Sequence, residues 1–101
     1  MLYAALCTDK PNALQIRLDT RPAHVAFLDA LNARGMLALA GPFLGEDGKP
    51  TGSLVIVEAE TLEEARAIFA EDPYAKADLF AAVEVKAWNW TFNKPDAGKG
   101  A

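Results

Sequence analysis

Residues 53–69, SLVIVEAETLEEARAIF, pass from a strand to a helix within one short stretch. Residues 53–58 contain three consecutive β-branched residues, which is typical of a strand. The segment Thr61-Leu-Glu-Glu64 has the spacing of a capping box, in which two side chains satisfy free backbone N–H groups at a helix start. The helix that follows places four apolar residues on one face: Leu62, Ala65, Ile68 and Phe69. This stretch predicts a strand followed directly by an amphipathic helix.

The preceding half of the chain predicts the same alternation. Residues 2–8 form a short apolar run that ends in a turn, and residues 12–34 show helical spacing. Proline lacks an N–H group and clashes with the preceding helical turn, so Pro22 predicts a short helix to about residue 18 and a second one from about residue 20. Gly35 is expected to end that helix with a positive φ. Residues 36–40 predict the next strand, and residues 43–52 a hairpin connection or mobile loop.

The last part of the chain predicts a short helical turn and a final strand. Asp72 and Pro73 suit a helix start, and residues 82–92 read as the strand, with a bulge near Ala87. Residues 93–101 predict a flexible C-terminal tail after a single domain at residues 1–92. At this length, the order β-α-β-β-α-β predicts a ferredoxin-like α+β fold, with an antiparallel sheet and both helices on one face.

Composition excludes several classes of protein. The chain has 101 residues and a net charge of −4, so we expect one domain that repels nucleic acid. Its single cysteine and single histidine exclude an internal disulfide and the usual Cys/His zinc site. No apolar run reaches membrane length and no signal peptide or cofactor fingerprint is evident, so a cytoplasmic protein without membrane contact or cofactor is expected.

The strands are apolar on both faces. In the first strand Leu2, Ala4 and Leu6 point one way, whereas Tyr3, Ala5 and Cys7 point the other way. Two helices cover only one face of such a sheet, and soluble monomers rarely expose a large apolar patch. We therefore expect a homodimer that packs two sheets face to face. The alternative cover, the tail or the 43–52 loop, is too polar.

Individual polar residues allow either a structural or a chemical role. His24 shares the apolar stripe of its helix, where a histidine is usually a hydrogen-bonded core residue, and Asp72 is well placed as a helix cap. Arg17 and Arg21 could bind an anionic or phenolic ligand, although for Arg17 we expect a solvated surface position. Ser53 and Tyr74 could each hydrogen-bond a ligand or serve the fold alone.

Four motifs occur in order along the chain: Arg21-Pro-Ala-His24, Ala40-Gly-Pro42, Thr51-Gly-Ser53 and Asp72-Pro-Tyr74. In this arrangement the chain resembles the YciI-like (YCII-related) family from Met1 to about Trp90. The resemblance implies a ferredoxin-like dimeric α/β barrel, related in fold to the muconolactone isomerase-like proteins. It also implies an active site with a His24–Asp72 pair, near which Arg21, Ser53 and Tyr74 would bind substrate.

Such a pair implies acid–base chemistry, since a carboxylate that fixes the imidazole tautomer lets the ring take and return a proton. We expect a small enzyme of the lyase, isomerase or hydrolase type, acting on a small anionic or phenolic molecule in a dimer cleft. The first alternative is a non-catalytic module that binds or senses a small metabolite there. The second is a dimeric accessory domain for another protein. The related fold also occurs in haem-binding oxygenases, but a single histidine does not by itself indicate haem binding.

Overall fold

The two strands that are apolar on both faces pair at the centre of the sheet. The computed structural model describes residues 1–95, with strands β1 (Leu2–Asp9), β2 (Leu37–Leu44), β3 (Pro50–Glu58) and β4 (Phe80–Trp88) and helices α1 (Leu14–Ala33), α2 (Leu62–Ala70) and α3 (Pro73–Lys76). All strand pairs are antiparallel, in the order β2-β3-β1-β4. This confirms the predicted ferredoxin-like α+β fold. The predicted tail lies largely outside the described residues, and the domain boundary at residue 92 stays a prediction.

Helix α1 is one continuous helix of 20 residues, so the predicted break at Pro22 is wrong. The helix continues because its buried residues, Arg17, His24 and Leu31, are spaced by seven and share one face. Pro22 cannot donate to the Leu18 carbonyl, but both residues are exposed, so water can reach that oxygen.

The predicted helix ends are confirmed. Gly35 has a φ of +71°, its N–H donates to Asn32 and the N–H of Met36 donates to Leu31, which is the Schellman pattern. At α2, the Thr61 hydroxyl accepts from the N–H of Glu64 at 3.0 Å. The Glu64 carboxylate accepts from the N–H of Glu60, one residue earlier than in a standard capping box.

Three predictions about the strands need correction. Strand β2 runs through Gly41 and Pro42 to Leu44, and β3 begins at Pro50, so the connection is 45–49 and not 43–52. Proline is tolerated because β2 lies at the edge of the sheet. Strand β4 spans Phe80–Trp88 and not 82–92.

No bulge lies near Ala87, because the side-chain phase of β4 does not change there. Val83, Val85 and Ala87 pair with Cys7, Ala5 and Tyr3, all on the helix-covered side. Trp88 pairs with Leu2 on the other side, so the alternation of side chains continues through Ala87 without a shift. The only register shift between β1 and β4 within residues 1–95 falls between Thr8 and Asp9.

The helices cover one face of the sheet. Tyr3, Ala5, Cys7, Val55 and Val57 form the main core there with Leu31 and Phe69. The opposite face, which we call the open face, carries Leu2, Ala4, Leu6, Leu39, Leu54 and Ile56. No helix among residues 1–95 packs on it, and none of these helices is long and apolar enough to cross a membrane. Four of the predicted site residues, His24, Ser53, Asp72 and Tyr74, are buried on the helix-covered side.

Candidate active site

His24 and Asp72 are in direct contact. Nδ1 of His24 lies 2.8 Å from Oδ1 of Asp72, with the two side chains 11% and 7% exposed. His24 sits on the buried face of α1, and Asp72 is the N-cap residue of α3, which packs against α1. The predicted proximity is therefore confirmed. Because a carboxylate accepts, Nδ1 carries the proton in this bond, and Nε2 is the nitrogen that remains for a ligand.

Several contacts fix the orientation of the pair. Oδ1 of Asp72 also accepts the backbone N–H of Tyr74 at 2.9 Å, so helix capping and histidine binding use the same oxygen. The Tyr74 ring stacks on the imidazole with centroids 3.9 Å apart and planes at 17°. Phe80 meets the Tyr74 ring edge-on at 6.1 Å. The imidazole is thus held by a hydrogen bond at Nδ1 and by a stacked ring on its face.

Arg17 is buried, which corrects the expectation of a solvated surface residue. Its Nε and Nη2 donate to the two Asp9 oxygens at 2.7 and 2.8 Å, and Nη2 also donates to Oγ of Ser53 at 2.9 Å. Its guanidinium carbon lies 4.6 Å from the Tyr74 ring centroid. The bidentate carboxylate compensates the charge and permits burial.

Sequence reasoning missed the role of Asp9 and the burial of Arg17. One signal was available: Arg17 lies seven residues before His24, so both occupy the same face of a continuous helix. The expected break at Pro22 concealed that relationship.

A cavity of about 270 Å³ lies beside this network. Four of the five predicted site residues line it, namely Arg21, His24, Ser53 and Tyr74. The edge strand β2 and the start of β3 complete the wall with Ala40, Gly41, Pro42 and Pro50. Asp72, the fifth residue, lies behind the imidazole and does not line this cavity. The predicted cleft between two protomers stays a prediction.

Charge and burial adjust the groups around the cavity. Burial raises the pKa of Tyr74, an effect that Arg17 and Arg21 partly offset, so the phenol stays a neutral donor at neutral pH. Burial acts to lower the pKa of Arg17, but Asp9 outweighs it and the pKa is raised. Arg21 is exposed and forms no ion pair with residues 1–95, so its charge is available at the cavity mouth. Within the same residues, no cluster of three or more His, Cys, Asp or Glu could hold a metal ion.

Comparison with known proteins places the chain in a family. The family model of the YCII-related domain matches residues 1–89. The chain belongs to the YCII-related family. "Protein YciI" of Escherichia coli O6:H1 is 41% identical over 98 residues, which cover 91% of this chain and all of that protein. An Emericella nidulans protein named "derivative of benzaldehyde biosynthesis cluster protein C" is 38% identical over 84 residues, covering 74% of this chain and 86% of its own length.

Solved structures agree with this membership. The 5-chloro-2-hydroxyhydroquinone dehydrochlorinase TftG of Burkholderia phenoliruptrix, solved in complex with 2,5-dihydroxybenzoquinone, is 37% identical with a TM-score of 0.81. That match covers 94% of this YCII-related chain and all of TftG. The Agrobacterium tumefaciens protein Atu4242 matches at 21% identity with a TM-score of 0.54, covering 94% and 98% of the two chains, and supports the fold alone.

Proposed function

We propose that this protein is a small acid–base enzyme of the lyase type that acts on a phenolic molecule bound beside His24. The observation that carries the proposal is the His24–Asp72 hydrogen bond of 2.8 Å at the wall of the cavity. It commits Nδ1 to the carboxylate and leaves Nε2 as the base. Among lyase, isomerase and hydrolase reactions, elimination suits this site because a hydroxylated ring that carries a leaving group can react through proton transfers alone.

The proposed reaction balances without an oxidant. Nε2 takes a proton from a ring hydroxyl and returns it to the ring carbon that bears a leaving group such as chloride. Nε2 then takes the proton of a second hydroxyl as the leaving group departs as an anion. The substrate loses one proton and one chloride, and a hydroquinone becomes a quinone. Asp72 stabilises the imidazolium formed in each step.

The other lining residues suit binding of such a ring. Arg21 supplies an uncompensated positive charge for a phenolate or carboxylate. Oγ of Ser53 accepts from Arg17, so its own O–H is left to donate to a ligand oxygen. Tyr74 holds the imidazole plane and presents its phenol in the same cavity.

The comparisons support the substrate class. TftG is named for the removal of hydrogen chloride from a hydroxylated ring, and its complex contains a dihydroxybenzoquinone. The Emericella nidulans relative is named for an aromatic product. Both names concern aromatic compounds with oxygen-containing substituents, which suit a cavity that combines a base, a cation and a hydroxyl donor.

We also propose that two copies associate through their open faces as a homodimer. The support is that the open face of β1 and β3 is apolar and no helix of residues 1–95 covers it: Leu2, Leu6 and Leu54 are half-buried, and Ala4 and Ile56 are buried between them. The edge strand β2 lines the cavity and also belongs to the sheet that would pack on the partner.

Turnover of 5-chloro-2-hydroxyhydroquinone, followed by chloride release, tests the proposal, and binding of 2,5-dihydroxybenzoquinone is measured separately. We expect His24→Gln to lower kcat by about 100-fold or more while binding is largely retained. Asp78→Asn, which changes an exposed carboxylate, is the matched control and should leave kcat unchanged. Binding without turnover in the wild type would instead favour the binding or sensing module, and full activity of His24→Gln would exclude His24 as the base.

A further inference from the structure

A second cavity lies on the other side of Asp72 from His24. Its volume is about 290 Å³, and it opens between α2, α3 and the helix-covered side of the sheet. Most of the lining is apolar and includes Phe69, Phe80 and Val83. The polar lining consists of Asp72, Arg66 and the Cys7 thiol. The volume suits one small ring and is at the low end for a ligand pocket.

One oxygen of Asp72 is open to this cavity. Oδ1 accepts from His24 and Tyr74, whereas Oδ2 accepts from no group in residues 1–95. Every fully buried side-chain N or O atom in those residues has a partner, so Oδ2 must reach accessible space. Asp72 lines the second cavity and not the first. A residue that is 5% exposed therefore presents an unused acceptor to an apolar pocket.

The lining also contains a matching cation. Arg66 shares one face of α2 with Phe69 and Ala70, and all three line the cavity. Arg66 is exposed and forms no ion pair within residues 1–95, so its guanidinium is free at the rim. The cavity thus offers a buried acceptor, apolar walls and a cation, which select a ring with a hydroxyl group and an acidic group.

We propose that this second cavity binds a single-ring phenolic acid whose hydroxyl donates to Oδ2 of Asp72 and whose carboxylate pairs with Arg66. The ring packs against Phe80, which contacts Tyr74 and through it His24. The site is separate from the cavity proposed for catalysis, although the same carboxylate borders both. A hydrogen bond donated to Oδ2 withdraws electron density from the carboxylate and weakens the bond that Oδ1 accepts from His24. The His24 resonances therefore report whether the second cavity is occupied.

The probe is 4-hydroxybenzoate, and binding is followed residue by residue in ¹⁵N–¹H NMR spectra. Two half-exposed valines form a matched pair, since Val83 lines the second cavity and Val25 the first. In Val83→Phe we expect the shifts at residues 66–70 and 83–85 to disappear and those at residues 21–25 to remain. In Val25→Phe we expect the backbone shifts at residues 21–25 to disappear and those at residues 66–70 and 83–85 to remain. The His24 side-chain resonances should still respond to the ligand. Benzoate, without the hydroxyl, should bind the second cavity about tenfold more weakly.

Specific outcomes would overturn the proposal. It fails if 4-hydroxybenzoate shifts only residues around the first cavity, or if Val83→Phe leaves the shifts at residues 66–70 unchanged. If Arg66→Gln and wild type bind 4-hydroxybenzoate equally well, Arg66 does not pair with the carboxylate of the ligand. Should Val83→Phe not fold, intermolecular NOEs from the ring protons to the Val83 and Val85 methyls of the wild type decide the matter, and their absence counts against the site. None of these readouts needs turnover, so a failed catalytic proposal leaves them interpretable.

Discussion

Arg17 shows how a full charge is accommodated in the interior of this small domain. Its guanidinium is satisfied by Asp9, Ser53 and the face of Tyr74, and each of these groups comes from a different element. Sequence alone indicated His24 and Asp72 through their motifs, and the structure brings them together. It could not indicate the Arg17–Asp9 pair, because a buried ion pair depends on which strand end faces which helix turn.

Removing one partner of this pair should be costly. Arg17→Leu leaves the Asp9 carboxylate buried without its cation, and we expect a loss of about 3–5 kcal/mol in the free energy of unfolding. The control is Lys10→Ala, which breaks the exposed Lys10–Asp78 pair and should change stability by less than about 1 kcal/mol. Urea denaturation measures both. Equal effects of the two substitutions would show that burial of Arg17 does not matter energetically.

Cys7 gives a pH-dependent prediction. Burial, with a smaller contribution from Asp72, raises the pKa of its thiol from 9.0 to about 12. A group with a raised folded pKa stabilises the fold fully below its unfolded pKa, and the contribution is lost as pH rises from about 9 to 12. Wild type should therefore lose stability faster than Cys7→Ala over this range, by at most about 1.4 kcal/mol per pH unit.

Urea denaturation of wild type and Cys7→Ala from pH 8 to 11 gives the contribution of the thiol to stability, because all other groups titrate in both proteins. Ultraviolet absorbance of the thiolate provides an independent check on the native protein. Parallel stability curves, or thiolate formation near pH 9 in the folded chain, would contradict the assignment of a buried neutral thiol.

At the scale of elements, the kinds and order of helices and strands were predictable, whereas their lengths were not. The capping residues and Gly35 act locally, so the chain near them is sufficient evidence. Pro22 and Pro42 are different, since local rules place a break at each, and tertiary packing overrides it. Packing of the buried face of α1 keeps the helix continuous at Pro22. Pro42 is tolerated because β2 lies at the edge of the sheet.

Gly52 provides a test of strand packing next to the site. Gly52 lies in β3 and pairs with Thr8 of β1, and a Cβ on Gly52 would collide with the carbonyl oxygen of Cys7. Gly52→Ala should therefore force β3 away from β1 beside Ser53, and we expect a loss of roughly 2–4 kcal/mol or failure to fold. Gly41→Ala is the matched control, because nothing lies within 4 Å of a Cβ at that position in β2.

Thermal and urea unfolding of the two glycine variants should differ clearly. Gly41→Ala is expected to change stability by less than about 1 kcal/mol, as Gly41 has no positive φ to strain. If Gly52→Ala were as stable as Gly41→Ala, the close approach of β3 to β1 would not constrain the sheet, and Ser53 would owe its position to its bond with Arg17 alone.

At the scale of the whole molecule, the two faces of the sheet differ in what covers them. The helix-covered side holds the main core, the His24–Asp72 pair and both cavities. The open face is apolar along β1 and β3, and on β4 it carries the Glu84–Lys86 ion pair, with Nζ and Oε2 3.4 Å apart. The apolar character of both faces was evident from the strands, but which residues face outward depended on the register. The structure assigns the open face to the phase of Leu2, Ala4 and Leu6.

That assignment makes the proposed dimer testable at one position. Leu54 lies on the open face, half-buried and paired with Leu6, so Leu54→Lys places a charge at the centre of the proposed interface without entering the helix-side core. Burying an unpaired ammonium between two sheets is costly, so we expect the dimer to dissociate at micromolar concentration.

Ile16→Lys, on the exposed side of α1, is the matched control and should leave the mass unchanged. Light scattering should give twice the 10.8 kDa chain mass for the wild type and the control, and a lower mass for Leu54→Lys. A folded wild-type monomer at that concentration would mean that the open face is stable in water, and the argument from the two apolar faces would then be wrong.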